Sequence, residues 1–173
     1  MKTLLKLTLA AAALLIVSGT NQASAQKFGY VDIQELVFSM PEMADVQANY
    51  NALQEDLLAQ RQAMLDEFNK KRDDYDRNAA TLTDGVRQMR EKDLTDLAQK
   101  LTTFEQETIP GDLQKKQEEL LSPLFNKATE AVNTVAKQNG LTAVFAAGAM
   151  VYIDEATMVN VLPLAKKHLG IQE

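Results

Sequence analysis

The only histidine of the chain, His168, follows Lys166 and Lys167 close to the C-terminus. Beside two ammonium groups, and with no carboxylate or hydroxyl next to it to orient a proton transfer, this imidazole reads as part of a basic last helical turn. Positive charge there complements the helix dipole. A second candidate is Asp74-Tyr75-Asp76-Arg77-Asn78, which opens like a calcium loop. Such a loop needs glycine at its sharp turn and a bidentate glutamate at its end. Those positions hold Ala79 and Gly85, so the segment reads as a solvated helix face. No G-x-S-x-G, G-x-x-x-x-G-K or G-x-G-x-x-G occurs, and the chain has no cysteine. Acyl transfer, nucleotide chemistry, thiolate metal binding and disulfides have no foothold. The chain is expected to be no enzyme and to carry no metal or cofactor.

Charge is more informative. Lys70 to Lys100 holds eight basic residues (Lys70, Lys71, Arg72, Arg77, Arg87, Arg90, Lys92, Lys100) and seven acidic ones, a net of +1. The whole of residues 26–173 carries 16 basic and 24 acidic groups, net −8, so everything outside the central segment sums to −9. That balance argues against nucleic-acid binding. It also makes the middle of the chain electrostatically distinct.

The central charges fall on an extended helical pattern. Val46, Tyr50, Leu53, Leu57, Met64, Phe68, Tyr75, Ala79 and Leu82 recur in steps close to three and four, a single narrow apolar stripe. Gln60 and Lys71 interrupt that stripe, and successive steps of four after Met64 break a strict heptad. Thr83-Asp84-Gly85 is a turn signal, after which Val86, Met89, Leu94, Leu97, Leu101 and Phe104 resume helical spacing. The spacing predicts an antiparallel helical hairpin over 42–111 whose arm reaches about 60 Å. A kink or break is expected at Ile109-Pro110-Gly111.

The flanks, 26–41 and 112–173, predict a small α+β body. Phe28-Gly29-Tyr30-Val31 is a β-prone run. Asp32 with Glu35, and Ser39 with Glu42, have the form of capping boxes that open two helices. Leu113 to Asn139 is helical, ended by Gly140. Leu141 to Ala147 and Ala149 to Ile153 read as two strands of a hairpin about Gly148, and Asn160 is placed to cap a last helix ending at Gly170. Residues 1–25 read as a cleavable export signal. Lys2 and Lys6 precede the uncharged run Leu7 to Val17, and Ala23-Ser24-Ala25 stands before Gln26. That run is short for a permanent membrane span. The expected destination is the cell envelope.

So little sheet makes a poor independent core, which points to self-association through Phe28, Tyr30, Val31, Val144, Phe145, Val151 and Ile153. Gly29-Tyr30-Val31-Asp32, the charged hairpin, Leu120-Leu121-Ser122-Pro123-Leu124, Ala131-Val132, Val135-Ala136-Lys137 and Gly140 follow one another in an order that resembles the Skp (OmpH-like) periplasmic chaperones. The resemblance covers residues 26–173 and implies a trimer in which a shared β body carries three helical arms around a cavity. It further implies an ATP-independent holdase for unfolded outer-membrane β-barrel proteins. Two departures stand out: Asn160-Val161-Leu162-Pro163 replaces the usual Asp-Ile-Thr element, and the chain is acidic where well-known members are basic. No lipopolysaccharide or anionic-lipid site is therefore carried over. Under this reading the client-binding candidates on the arm are Met64, Leu82, Val86 and Met89, with Arg87 and Arg90 for acidic client loops. The alternative is an envelope scaffold that uses the hairpin as a rod to hold one folded partner.

Overall fold

Gly29 and Val31 alternate with Phe28 and Tyr30, and this gives the first element, β1 (Lys27–Val31), a buried face and a half-buried one. The computed structural model describes residues 26–171; the expected export signal, 1–25, lies outside the described residues. β1 is the centre of a three-stranded sheet ordered β2-β1-β3, with β2 (Leu141–Ala146) and β3 (Met158–Asn160) both parallel to it. The Val161 N–H donates to the Tyr30 carbonyl at 2.9 Å, extending the β3 side by one rung.

Glycine at 29 is required by close approach. A Cβ there would stand 2.8 Å from Leu141 Cδ1, 2.8 Å from Val161 Cγ2 and 3.2 Å from the Val159 carbonyl oxygen. Val161 is fully buried and has little room to give. Gly29→Ala is expected to destabilise the fold by about 1–3 kcal/mol, seen as a lower urea midpoint at unchanged slope.

Asp32 opens helix α1 (Ile33–Phe38) as its capping pattern predicts, its Oδ1 accepting from the Glu35 N–H at 3.0 Å. The second capping pattern is corrected. Ser39 closes α1 instead of opening the next helix, donating its hydroxyl to the Leu36 carbonyl at 2.7 Å. Its backbone is helical (φ −84°, ψ −6°), not the extended conformation an N-cap needs. Helix α2 (Met43–Asn78) then starts at Glu42 without a side-chain cap and runs 36 residues, about 54 Å.

A 3₁₀ turn, Ala79–Thr81, reverses the chain, and α3 (Asp84–Thr103) begins on Asp84 and Gly85, the residues expected to form the turn itself. Of the kink or break expected at Pro110, no break occurs. Five residues of π-helix, Phe104–Thr108, lead into α4 (Ile109–Gln138), so the returning arm stays helical throughout. The Ile109 N–H bonds five residues back to Phe104, and this widened turn admits Pro110, which lacks a donor and would crowd an ordinary turn.

Gly140 ends α4 with φ 66°. The predicted hairpin of β2 with Ala149 to Ile153 is a further correction. β2 pairs parallel with β1 and ends beside Val31, whereas β3 starts beside Phe28, so residues 147–157 must travel back along the sheet. They form a 3₁₀ turn, Ala147–Ala149, and a non-strand crossover, and the third strand is Met158–Asn160. Helix α5 (Leu162–His168) follows, with Asn160 Oδ1 accepting from the Leu162 N–H at 3.0 Å as expected.

The core lies on the Gly29/Val31 side of the sheet. Leu124, Ala128, Val132 and Val135 make one face of α4 that packs on Val31, on Leu36 and Val37 of α1, on Val46 of α2, and on Val161 and Ala165. Leu36, Val37 and Val161 are wholly buried, each worth about 1.5–3 kcal/mol of apolar transfer.

Candidate functional site

The arm is held by few contacts. Among the described residues between 47 and 123, Leu57 and Leu97 are the buried apolar ones. Met64, Phe68, Leu101 and Phe104 are half-buried along the seam, while Gln60 and Lys71 are exposed. Two polar links cross it: Arg61 Nε pairs with Glu105 in the π turn, and the Tyr75 hydroxyl donates to Glu91 Oε1 at 2.5 Å. The hydrogen bond to the Glu91 carboxylate raises the Tyr75 phenol above its ordinary pKa, because ionisation would lose that bond and set two negative charges together.

The structure brings only some of the arm candidates together. Leu82 and Arg90 line one concavity at the distal end with Asp74, Tyr75 and Asn78. Val86 and Met89 project from α3 one turn apart, Met89 57% exposed. Arg87 is engaged by Asp84 one turn before it. Met64 lies well down the arm in the seam. Asp74 to Asn78 ends α2 as an ordinary helical turn, and among the described residues no cluster of His, Asp and Glu is placed to hold a metal ion.

At the body, Phe28 and Phe145 meet with ring centroids 6.0 Å apart, tilted by 48°. Met150 and Met158 complete a shallow, wholly apolar depression with them on the face of the sheet away from the core. Tyr30 shares that face by strand alternation. Val31 and Val144 point the other way, into the core packing. Val151 and Ile153, expected in a strand, lie in the crossover, with Val151 fully exposed beside an exposed Tyr152. Met150 and Met158 are not legible in the sequence as parts of this face, because the parallel crossover that puts them there depends on pairing with β1. Each outer strand also leaves one edge unpaired within the chain.

One ion pair ties arm to body. Lys127 Nζ on α4 bonds Glu42 at the start of α2, and this bond, its largest cause, holds the Glu42 carboxyl below its usual range. A depressed carboxyl pKa stabilises the fold above the unfolded value, and the contribution is lost as pH falls through the folded one. Melting of Lys127→Gln should therefore approach that of the parent as pH drops below the carboxylate range and differ from it at neutrality; equal differences at both would refute the assignment. The groups are exposed, so the effect is small and sensitive to salt.

A long helical arm with a sparse seam, standing on a small open-edged sheet, defines a class of protein whose surfaces outweigh any pocket. The model of the OmpH-like outer membrane protein family matches residues 27–162, and the chain belongs to that family. Membership supports a chaperone role in general terms. A solved structure from Caulobacter crescentus, provisionally assigned as an OmpH-like outer membrane chaperone, superposes with a TM-score of 0.69 over 88% of each chain at 12% identity. At that identity the likeness establishes the fold. No match is found among the curated proteins. Among the described residues, no helix is long and apolar enough to cross a membrane.

Proposed function

We propose that this chain is an ATP-independent periplasmic holdase: a homotrimer whose arms surround unfolded outer-membrane β-barrel proteins and keep them from aggregating. The observation that carries the reading is the sparse seam. Leu57 and Leu97 alone among the described residues between 47 and 123 are buried apolar side chains, so the apolar groups a rigid rod would spend on packing stay half-buried or exposed. Such a surface suits many weak, adaptable contacts better than one fixed partner. The apolar outer face of Phe28, Phe145, Met150 and Met158, with its unpaired strand edges, supports assembly through the body.

The test dilutes a denatured outer-membrane β-barrel protein into buffer with the mature chain and follows light scattering. Suppression near one assembled unit per client, with or without ATP, is expected. Unchanged aggregation, together with a saturable one-to-one complex with a single folded envelope protein, would instead establish a scaffold.

A further inference from the structure

The chain has no cysteine, so methionine thioethers are its only sulfur. They are not equally placed. Met40 is buried in the core at 3% exposure, and Met43, Met64, Met150 and Met158 are half-buried. Met43 packs against the core, Met64 lies in the seam of the hairpin, and Met150 and Met158 sit in the apolar depression of the outer face. Met89 of α3 is the exposed methionine among the described residues, at 57%.

Accessibility decides which thioether an oxidant reaches first, because the sulfur lone pair must meet the oxidant directly. Oxidation turns a flexible apolar tip into a polar sulfoxide. At Met40 the new oxygen would enter the core, where a polar group without a partner costs stability. Met89 lies outside the core cluster, so the same change leaves the packing of the body alone. What it alters is the surface of the arm. Val86, one turn before, is the other exposed large apolar side chain of α3, and a single added oxygen makes half of that pair polar.

We propose that Met89 is an oxidation site through which a peroxide weakens the hold of the arm on clients while the fold stays intact. The inference rests on the holdase reading, in which Val86 and Met89 touch clients, and adds a regulatory chemistry to that surface. The Met89 sulfur lone pair attacks one peroxide oxygen and the O–O bond breaks. The sulfur is oxidised by two electrons to the sulfoxide, and the second oxygen leaves with both protons as water. Thioethers adapt to many apolar surfaces, and a sulfoxide loses that contact. Each arm of an assembled unit carries one such site, so the losses on separate arms compound.

The experiment treats the complete mature chain with graded doses of hydrogen peroxide, quenches with free methionine, and measures sulfoxide at each methionine by mass spectrometry of its peptides. The same samples are assayed for suppression of light scattering from a diluted β-barrel protein. Met89 is expected to oxidise first. At the dose that converts it, the amount of chain needed for equal protection should rise about three- to tenfold, as loss of a thioether contact does, with circular dichroism and oligomeric mass unchanged. Each variant is compared with its own untreated sample. Treated and untreated Met89→Leu should protect alike, whereas Met43→Leu should lose protection on treatment as the parent does. Earlier oxidation of another methionine, a loss that persists in Met89→Leu, or a fall in helical signal in step with Met89 oxidation overturns the proposal. If the untreated chain protects and the Met89 sulfoxide protects equally, the Met89 proposal fails and the holdase reading stands. If the untreated chain gives no protection, the holdase reading itself has failed.

Discussion

Cutting the arm back to the level of the Arg61–Glu105 pair is expected to abolish client protection while leaving the body assembled. Removing Gln62 to Phe104 and joining Arg61 to Glu105 through a glycine turn keeps two residues that already touch across the hairpin, so the splice imposes little strain. It deletes Leu97 and every distal candidate, Met64, Leu82, Val86, Arg87, Met89 and Arg90, but none of the residues packed into the core of the body. The helix that remains from Met43 to Arg61 reaches about 28 Å. An unfolded chain of about 100 residues has a radius of gyration of about 30 Å, so the shortened arms cannot surround it. Scattering from a diluted β-barrel protein should rise to the level seen without chaperone, while circular dichroism and oligomeric mass report an intact body. Full protection by the shortened chain would move the activity out of the arms.

Val144→Asp is expected to unfold the body and dissociate the assembly together. Val144 lies opposite Gly29 in the sheet and packs, half-buried, against the core cluster, so a carboxylate there replaces apolar contacts with a charge that folding must partly desolvate. The loss is on the order of 2 kcal/mol, a sizeable part of the stability of a domain this size. Because β2 also provides an unpaired edge and Phe145 on the outer face, the intrachain core and the proposed contact between copies share one strand. Urea transitions followed by strand circular dichroism and by light-scattering mass should coincide at a lower midpoint. Dissociation with the strand signal intact would separate the two roles.

The arm was legible in the sequence because its evidence is local. Steps of three and four from Val46 onward require helix, and Ala79 and Gly85 rule out a calcium loop without reference to any distant residue. The Asp32, Asn160, Gly140 and Gly170 signals likewise act within a few residues of themselves, and each helix end is found there. What escaped depends on partners far along the chain. Ala149 to Ile153 has the composition of a strand, but β1 takes β2 and β3 as parallel neighbours, and the segment becomes the crossover between them. β3, three residues long, has no periodicity to read. Ser39 matched a capping pattern, yet α1 claims it first. Pro110 predicted a break, and a single π turn absorbs it. Phe38 of α1 meets Met43 and Tyr50 of α2 and Leu121 of α4 in one shallow groove, a meeting that only the folded hairpin brings about.

The central claim, that assembled arms and not the isolated chain hold clients, is tested most directly by measuring oligomeric mass and aggregation suppression on the same dilution series of the mature chain. The account predicts that protection per chain falls in step with the trimer as the series passes through dissociation. Undiminished protection by a folded monomer would contradict it.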